Sequence, residues 1–144
     1  VPTVTLPDRA SAPAFRPTRG RVVSTSLGVA ILVGSIALAI ALPERFGVMD
    51  RFTCALIGVG VAGFMSRYAT IHARPTAEGL WVRNLGPGEL VLWEEITTLR
   101  FSEGMPWPRL DLADGMDMAV MAIQRSDGPR SVEEAQRLAD LIGR

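Results

Sequence analysis

The chain has no lysine, one histidine and one cysteine, and each scarcity removes a class of chemistry. With His72 alone, no histidine-based metal cluster or catalytic dyad can be assembled within the chain. Cys54 lies in an apolar run without an intrachain partner, so there is no disulfide framework. Aromatic residues are only 6% although 48% of residues are hydrophobic, so the apolar weight is aliphatic and glycine-rich, the composition of membrane helices. All fifteen basic residues are arginine, which speaks of a GC-rich genome and not of mechanism.

The net charge of zero hides an asymmetry. Residues 1–21 carry four arginines against Asp8, whereas residues 76–144 carry seven arginines against twelve acids. An acidic globular part excludes nucleic acid as a partner, because that binding rests on neutralising phosphates. Glu94 and Glu95 would point to opposite faces of a strand, which disfavours a shared-proton pair. Asp111, Asp114 and Asp117 are spaced by three but lack the further ligands of a calcium loop. With so few catalytic side chains, the chain reads as a non-enzyme for which no cofactor, metal or small-molecule substrate is expected.

Residues 1–20 hold four prolines among small and polar residues and read as an extended tail. Residues 22–42 are uncharged for 21 positions, about 31 Å of helix, enough to cross a bilayer core. Pro43 stops this span. A second span is expected over about 52–71, with Pro75 as its outer limit, so that residues 21–75 form a two-helix transmembrane hairpin. A cleavable signal peptide is the rival for the first span, but its apolar stretch exceeds the usual length for one. Arg19 and Arg21 before the first span and Arg67, Tyr68, His72 and Arg74 around the end of the second are candidate membrane-interface residues. The arginine excess flanks the two outer ends of the hairpin, which predicts a multi-pass cell-membrane protein with both termini cytoplasmic.

Gly58-Val-Gly-Val-Ala-Gly63 spells the dinucleotide fingerprint, but inside a membrane span no helix N-terminus faces a pyrophosphate. The reading is close helix packing by Gly58, Gly60 and Gly63, with Gly28, Gly34 and Ser35 of the first span as partners.

From Thr76 the hydrophobic period changes to two. Strands are expected over Gly79–Asn84, Glu89–Trp93, Thr97–Ser102, Leu110–Leu112 and, after a two-residue turn at Asp114-Gly115, Met116–Gln124. Ser131 with Glu134 forms a capping box for a C-terminal helix over 131–143, whose apolar stripe is Val132, Ala135, Leu138, Ala139 and Ile142. The fold class is therefore a membrane α-helical hairpin followed, over 76–144, by a small mostly-β domain of about five to six antiparallel strands closed by one helix. Met105, Pro106, Trp107 and Pro108 form a stiff apolar loop that either folds back onto the core or contacts a partner or membrane surface.

The curled meander, with Gly79-Leu-Trp-Val-Arg83, Leu92-Trp-Glu-Glu-Ile96 and the final helix, resembles the bacterial pleckstrin-homology (PH) domains. Over residues 16–144 the chain is similar to small actinobacterial membrane proteins of the low-molecular-weight protein antigen type, which join two spans to such a domain. Eukaryotic relatives of this fold bind phosphoinositides through basic residues in the first hairpin loop. Here that loop is Asn84-Leu-Gly-Pro-Gly88, with no cation beyond Arg83 beside it, so phosphoinositide binding is not carried over. The expected function is a non-catalytic accessory subunit of a multi-subunit actinobacterial membrane complex, by analogy a respiratory-chain supercomplex. Its partners would be other membrane subunits and the lipid bilayer. The tail, with Phe15 and Arg16 as contact candidates, would lie along a larger partner. The alternative is a membrane-anchored cytoplasmic PH-like module that binds lipid or peptide.

Overall fold

The computed structural model describes residues 8–143. They divide into two compact units: residues 20–70, and the N-terminal residues up to Arg19 together with everything from Ile71 onward.

The first unit is a helical hairpin. Helix α1 spans Arg19–Ala41 and helix α2 spans Val48–Ala69. Both are long and apolar enough to cross a membrane. Their large side chains are mostly uncovered within the chain, with Val22, Phe52 and Ile57 each at least 60% exposed. A helix apolar all round and unburied by its own chain needs a non-aqueous surrounding. The sharp turn has two polar anchors. The Asp50 carboxylate accepts the Gly47 N–H at 2.8 Å and so sits against the start of α2, where negative charge is favoured. Arg51 reaches back and donates to the carbonyls of Ala39 and Ile40 at 2.8 and 2.9 Å and to those of Leu42 and Pro43. These include carbonyls at the end of α1 that no helical N–H can reach, and the cation also suits that end of the dipole. Relative to the expected second span of 52–71, α2 begins four residues earlier and ends two earlier. Thr70 closes it by donating its N–H to the Arg67 carbonyl at 3.2 Å.

The second unit holds six strands in two three-stranded antiparallel sheets. Strands β1 (His72–Pro75), β2 (Gly79–Arg83) and β3 (Glu89–Leu92) form one sheet in that order. Strands β4 (Ile96–Arg100), β5 (Arg109–Leu112) and β6 (Asp117–Ala119) form the other. A 3-10 turn at Trp93–Glu95 joins them, where the Glu95 carboxylate accepts the Leu92 N–H at 3.0 Å and the Trp93 indole donates to the Thr76 carbonyl at 3.0 Å. Leu80, Val82, Val91, Leu110, Val120, Ile123, Leu138 and Leu141 make the core. Gly79 is required by close approach, because a Cβ there would lie 2.1 Å from the Val91 carbonyl oxygen of the neighbouring strand.

Four local expectations are corrected. A strand, β1, stands at His72–Pro75, where the sequence reads as the tail of a span; its register is His72 to Arg83 and Pro75 to Leu80. A four-residue strand ending in proline gives too short a period-two signal next to a long apolar run, and Pro75 is tolerated because β1 is an edge of its sheet. The long fifth strand shrinks to Asp117–Ala119. The Asn84 side chain takes the next backbone groups, donating to the Ala119 carbonyl at 2.8 Å and accepting the Met121 N–H at 3.1 Å, so the ladder stops while Val120–Ile123 stays buried. The β5–β6 turn has three residues, since the Leu112 N–H donates to the Met116 carbonyl; Gly115 takes the left-handed φ of +85° that such loops need. Finally, helix α3 spans Pro129–Ile142, with proline in its first turn and no capping box. The Ser131 hydroxyl donates to the Gly128 carbonyl at 2.6 Å, which allows Ser131 to be buried with Ala135, Leu138 and Leu141 while Val132 is 57% exposed.

Candidate functional site

Residues 8–19 form a strap on the β-rich unit. Phe15 exchanges two backbone hydrogen bonds with Ala73, of 2.7 and 3.0 Å, and its side chain is fully buried. The Arg137 guanidinium lies 3.8 Å from the Phe15 ring centroid, donates to the Pro13 carbonyl at 2.8 Å and pairs with Glu134. Arg9 stacks 4.8 Å above Trp93. Asp127 accepts the N–H groups of Thr18 and Arg19 at 3.0 and 2.8 Å, and the Arg19 guanidinium donates to the Ser126 carbonyl. Phe15 thus has its contacts inside the chain, whereas Arg16 beside it is exposed. A proline-rich segment without periodicity gives no local sign of this, because its partners are some 60 to 120 residues away in sequence.

The Met105–Pro108 loop is held from within. Arg125 donates to the carbonyls of Met105 and Ser102, both at 2.8 Å, and stacks 4.1 Å from the Phe101 ring centroid; its own N–H meets the Pro106 carbonyl at 2.8 Å. Pro108 is buried, Met105 and Trp107 are half-buried, and Pro106 is exposed. Arg125, Asp127, Arg137 and Asn84 organise this unit, and no sequence reading singled them out. Only the three-residue spacing of Glu134 and Arg137 carried a local signal.

Among the packing glycines, Gly58 and Gly28 meet the facing helix. A Cβ on Gly58 would sit 2.3 Å from the Ser35 Cβ, and one on Gly28 would sit 3.1 Å from the Met65 Cβ. Gly34, Gly60 and Gly63 face open space. Of the interface candidates, Arg67 and Tyr68 lie in the last turn of α2, Tyr68 edge-on to Phe64. Arg21 is half-exposed on the first turn of α1, while His72 and Arg74 lie on β1.

The exposed face of the second sheet carries a charge ladder. Arg100 pairs with Asp111 at 2.8 Å and with Asp117 at 3.6 Å, and Arg109 pairs with Asp117. Asp114 accepts the Met116 N–H. Asp111 and Asp117 are thus occupied by arginines and Asp114 by a backbone N–H, and among the described residues no group of histidine, cysteine, aspartate or glutamate could hold a metal ion. The Arg109 hydrogen bond holds the Asp117 carboxyl below its ordinary value, and both arginines are pushed up by their aspartate partners. A depressed carboxylate stabilises the fold above its unfolded-state pKa and loses that contribution as pH falls through its lower folded value. Asp117→Asn should therefore lower stability at neutral pH by the small amount a solvent-exposed pair contributes and remove the same amount of acid sensitivity below about pH 4, so that the two stability curves converge at low pH. Unfolding midpoints between pH 2 and 7 in low salt would check this; an unchanged acid limb would exclude the pair as a source of pH dependence.

A groove of about 250 Å³ lies along β3, lined by Glu89, Leu90, Val91, Glu95, Leu112 and Asp114 among others. It is bounded by two strand segments, and the hydrogen bond from the Ala113 N–H to the Glu95 carbonyl, 2.8 Å long, ties them together. It offers apolar surface with a rim of carboxylates.

Two three-stranded antiparallel sheets followed by one C-terminal helix define a PH-like domain, here preceded by two apolar helices. The family described as bacterial PH domain matches residues 72–140. Uncharacterized protein Rv1417 of Mycobacterium tuberculosis and uncharacterized protein Mb1452 of Mycobacterium bovis are each 30% identical over 133 residues, covering 92% of this chain and 86% of theirs. The chain belongs to the same family as these mycobacterial proteins, and its residues 72–140 match the bacterial PH domain. No solved structure matches it. Neither the family nor these relatives carry a catalytic designation.

Proposed function

We propose that this protein is a non-catalytic, membrane-anchored accessory subunit of a larger membrane complex, with a respiratory-chain supercomplex as the first assembly to test. The observation that carries the reading is the pair of helices whose large apolar side chains the chain itself leaves uncovered, with Val22, Ile40 and Phe52 all at least 60% exposed. Lipid, or helices of other subunits in lipid, would cover them. Gly34, Gly60 and Gly63 leave room on those helices for another helix to approach closely.

Both ends of the hairpin lead into one folded unit, since Phe15 pairs with Ala73 and Asp127 holds Thr18 and Arg19. This supports placing both termini on the same side. The arginines Arg9, Arg16, Arg19, Arg21, Arg67 and Arg74 favour the cytoplasm for that side. Arg51, in the opposite turn, is occupied by the carbonyls of α1.

The test is extraction of the full, C-terminally tagged chain from its native membrane in mild detergent, followed by native mass measurement. The expected result is a discrete assembly containing other membrane subunits in fixed ratio. A free chain that instead binds anionic vesicles saturably would overturn the subunit reading in favour of a lipid-reading module. An acidic domain with seven arginines and twelve acids argues against that outcome, because each charge near an anionic surface is worth on the order of 1 kcal/mol.

A further inference from the structure

We propose that the free edge of β3 is a docking site for an extended, basic segment of a partner protein. The inference deepens the reading of this chain as a binding subunit, and it starts from the sheet topology. Strand β3 pairs with β2 on one side only; the chain then passes through Trp93–Glu95 into β4, which belongs to the other sheet. An edge left this way presents backbone donors and acceptors that another strand can use.

The groove beside β3 runs along that edge and not across a face. Successive side chains of a strand point to opposite faces, yet Glu89, Leu90 and Val91 all line the groove, so what they share toward it is the strand's own margin. The opposite wall is likewise three consecutive residues, Leu112, Ala113 and Asp114, at the end of β5. One end is closed by the bond between Ala113 and Glu95. Leu90, 40% exposed, supplies an apolar contact for an incoming side chain.

Charge identifies the occupant. The lining carries Glu89, Glu95 and Asp114 and no cation. Elsewhere in this unit, Arg100 and Arg109 are engaged with Asp111 and Asp117, Arg125 with loop carbonyls, and Arg137 with Glu134. A second copy of this acidic domain would repel the rim, and an anionic lipid headgroup would do so more strongly. A strand with arginine or lysine at alternate positions would pair its backbone with β3, set its apolar residues beside Leu90, and place its cations at the carboxylates.

The full chain in nanodiscs of zwitterionic lipid is titrated into a rhodamine-labelled peptide, Val-Arg-Val-Arg-Val-Arg, and anisotropy is followed. Saturable binding is expected, weakened about tenfold or more by methylating alternate peptide nitrogens, which removes backbone donors but keeps every charge. The double substitution Glu89→Lys with Asp114→Lys should weaken it by about as much, with the tryptophan-monitored unfolding midpoint unchanged as proof of folding. Absence of saturable binding, equal binding of the methylated peptide, or preference for the glutamate counterpart would each overturn the proposal. So would a dimer by light scattering that the peptide fails to dissociate. Peptide binding without co-purifying subunits would preserve this site and reject the accessory-subunit reading; the converse pair of results would do the opposite.

Discussion

Truncation of Phe15 to alanine is expected to destabilise the β-rich unit by about 3–5 kcal/mol, a large share of the stability of a small domain. The residue precedes the first apolar helix, yet its ring is fully buried, its backbone pairs with Ala73 on β1, and Arg137 of α3 packs on its face. Removing the ring leaves a cavity and also releases the guanidinium from a contact worth about 1 kcal/mol. Trp81, Trp93 and Trp107 all lie in this unit, so denaturant unfolding of the full chain in mild detergent, followed by tryptophan fluorescence, isolates its stability from that of the helices. The expected variant unfolds at markedly lower denaturant with an unchanged slope. If stability is unaffected while co-purifying subunits are lost, Phe15 acts at a partner surface instead.

The second large effect is expected at Gly58. A leucine there places its Cβ where the Ser35 Cβ already stands, 2.3 Å away, and a Cβ cannot rotate aside as the end of a long side chain can. The helix backbones must separate, at a cost of about 1–3 kcal/mol or more for overpacking. Spin labels at Ile40 and Phe52, both exposed, on a Cys54→Ser background should then report a longer and broader distance. Gly60→Leu should leave that distance as it is, because nothing lies within 4 Å of a Cβ at Gly60. In Gly60→Leu any loss of co-purifying subunits would therefore belong to contacts with other chains. Widening of the hairpin by Gly60→Leu would show that the facing surfaces have been assigned to the wrong glycines.

These two positions show where local patterns stop being informative. Within Gly58-Val-Gly-Val-Ala-Gly63, composition marks a small-residue surface, but three glycines on one helix cannot all face one neighbour. Ser35 on the opposite helix selects Gly58. The same holds for α3: Ala135 and Leu138 are common to the expected and the observed buried faces, and satisfaction of the Ser131 hydroxyl decides for Ser131 over Val132. Ligand count alone kept the aspartates of the β5–β6 hairpin from reading as a calcium loop, and Arg100 and Arg109 are what occupy Asp111 and Asp117. The acidic groove was invisible, because a free strand edge is a property of sheet order and has no sequence pattern of its own.

By itself the sequence determined whatever depends on neighbours along the chain. An uncharged run of 21 residues makes a helix long enough for a bilayer, proline ends it, and period-two alternation marks β2, β3 and β4. The PH-like class follows from that order of elements. Only the tertiary structure decided what depends on contacts between distant residues. It brought residues 8–19 onto the β-rich unit, turned His72–Pro75 into a strand through pairing with Leu80–Arg83, and ended β6 through Asn84. The physical reason is that a short extended segment gains its hydrogen bonds and burial wholly from its partner, whereas a long apolar helix satisfies its backbone within itself.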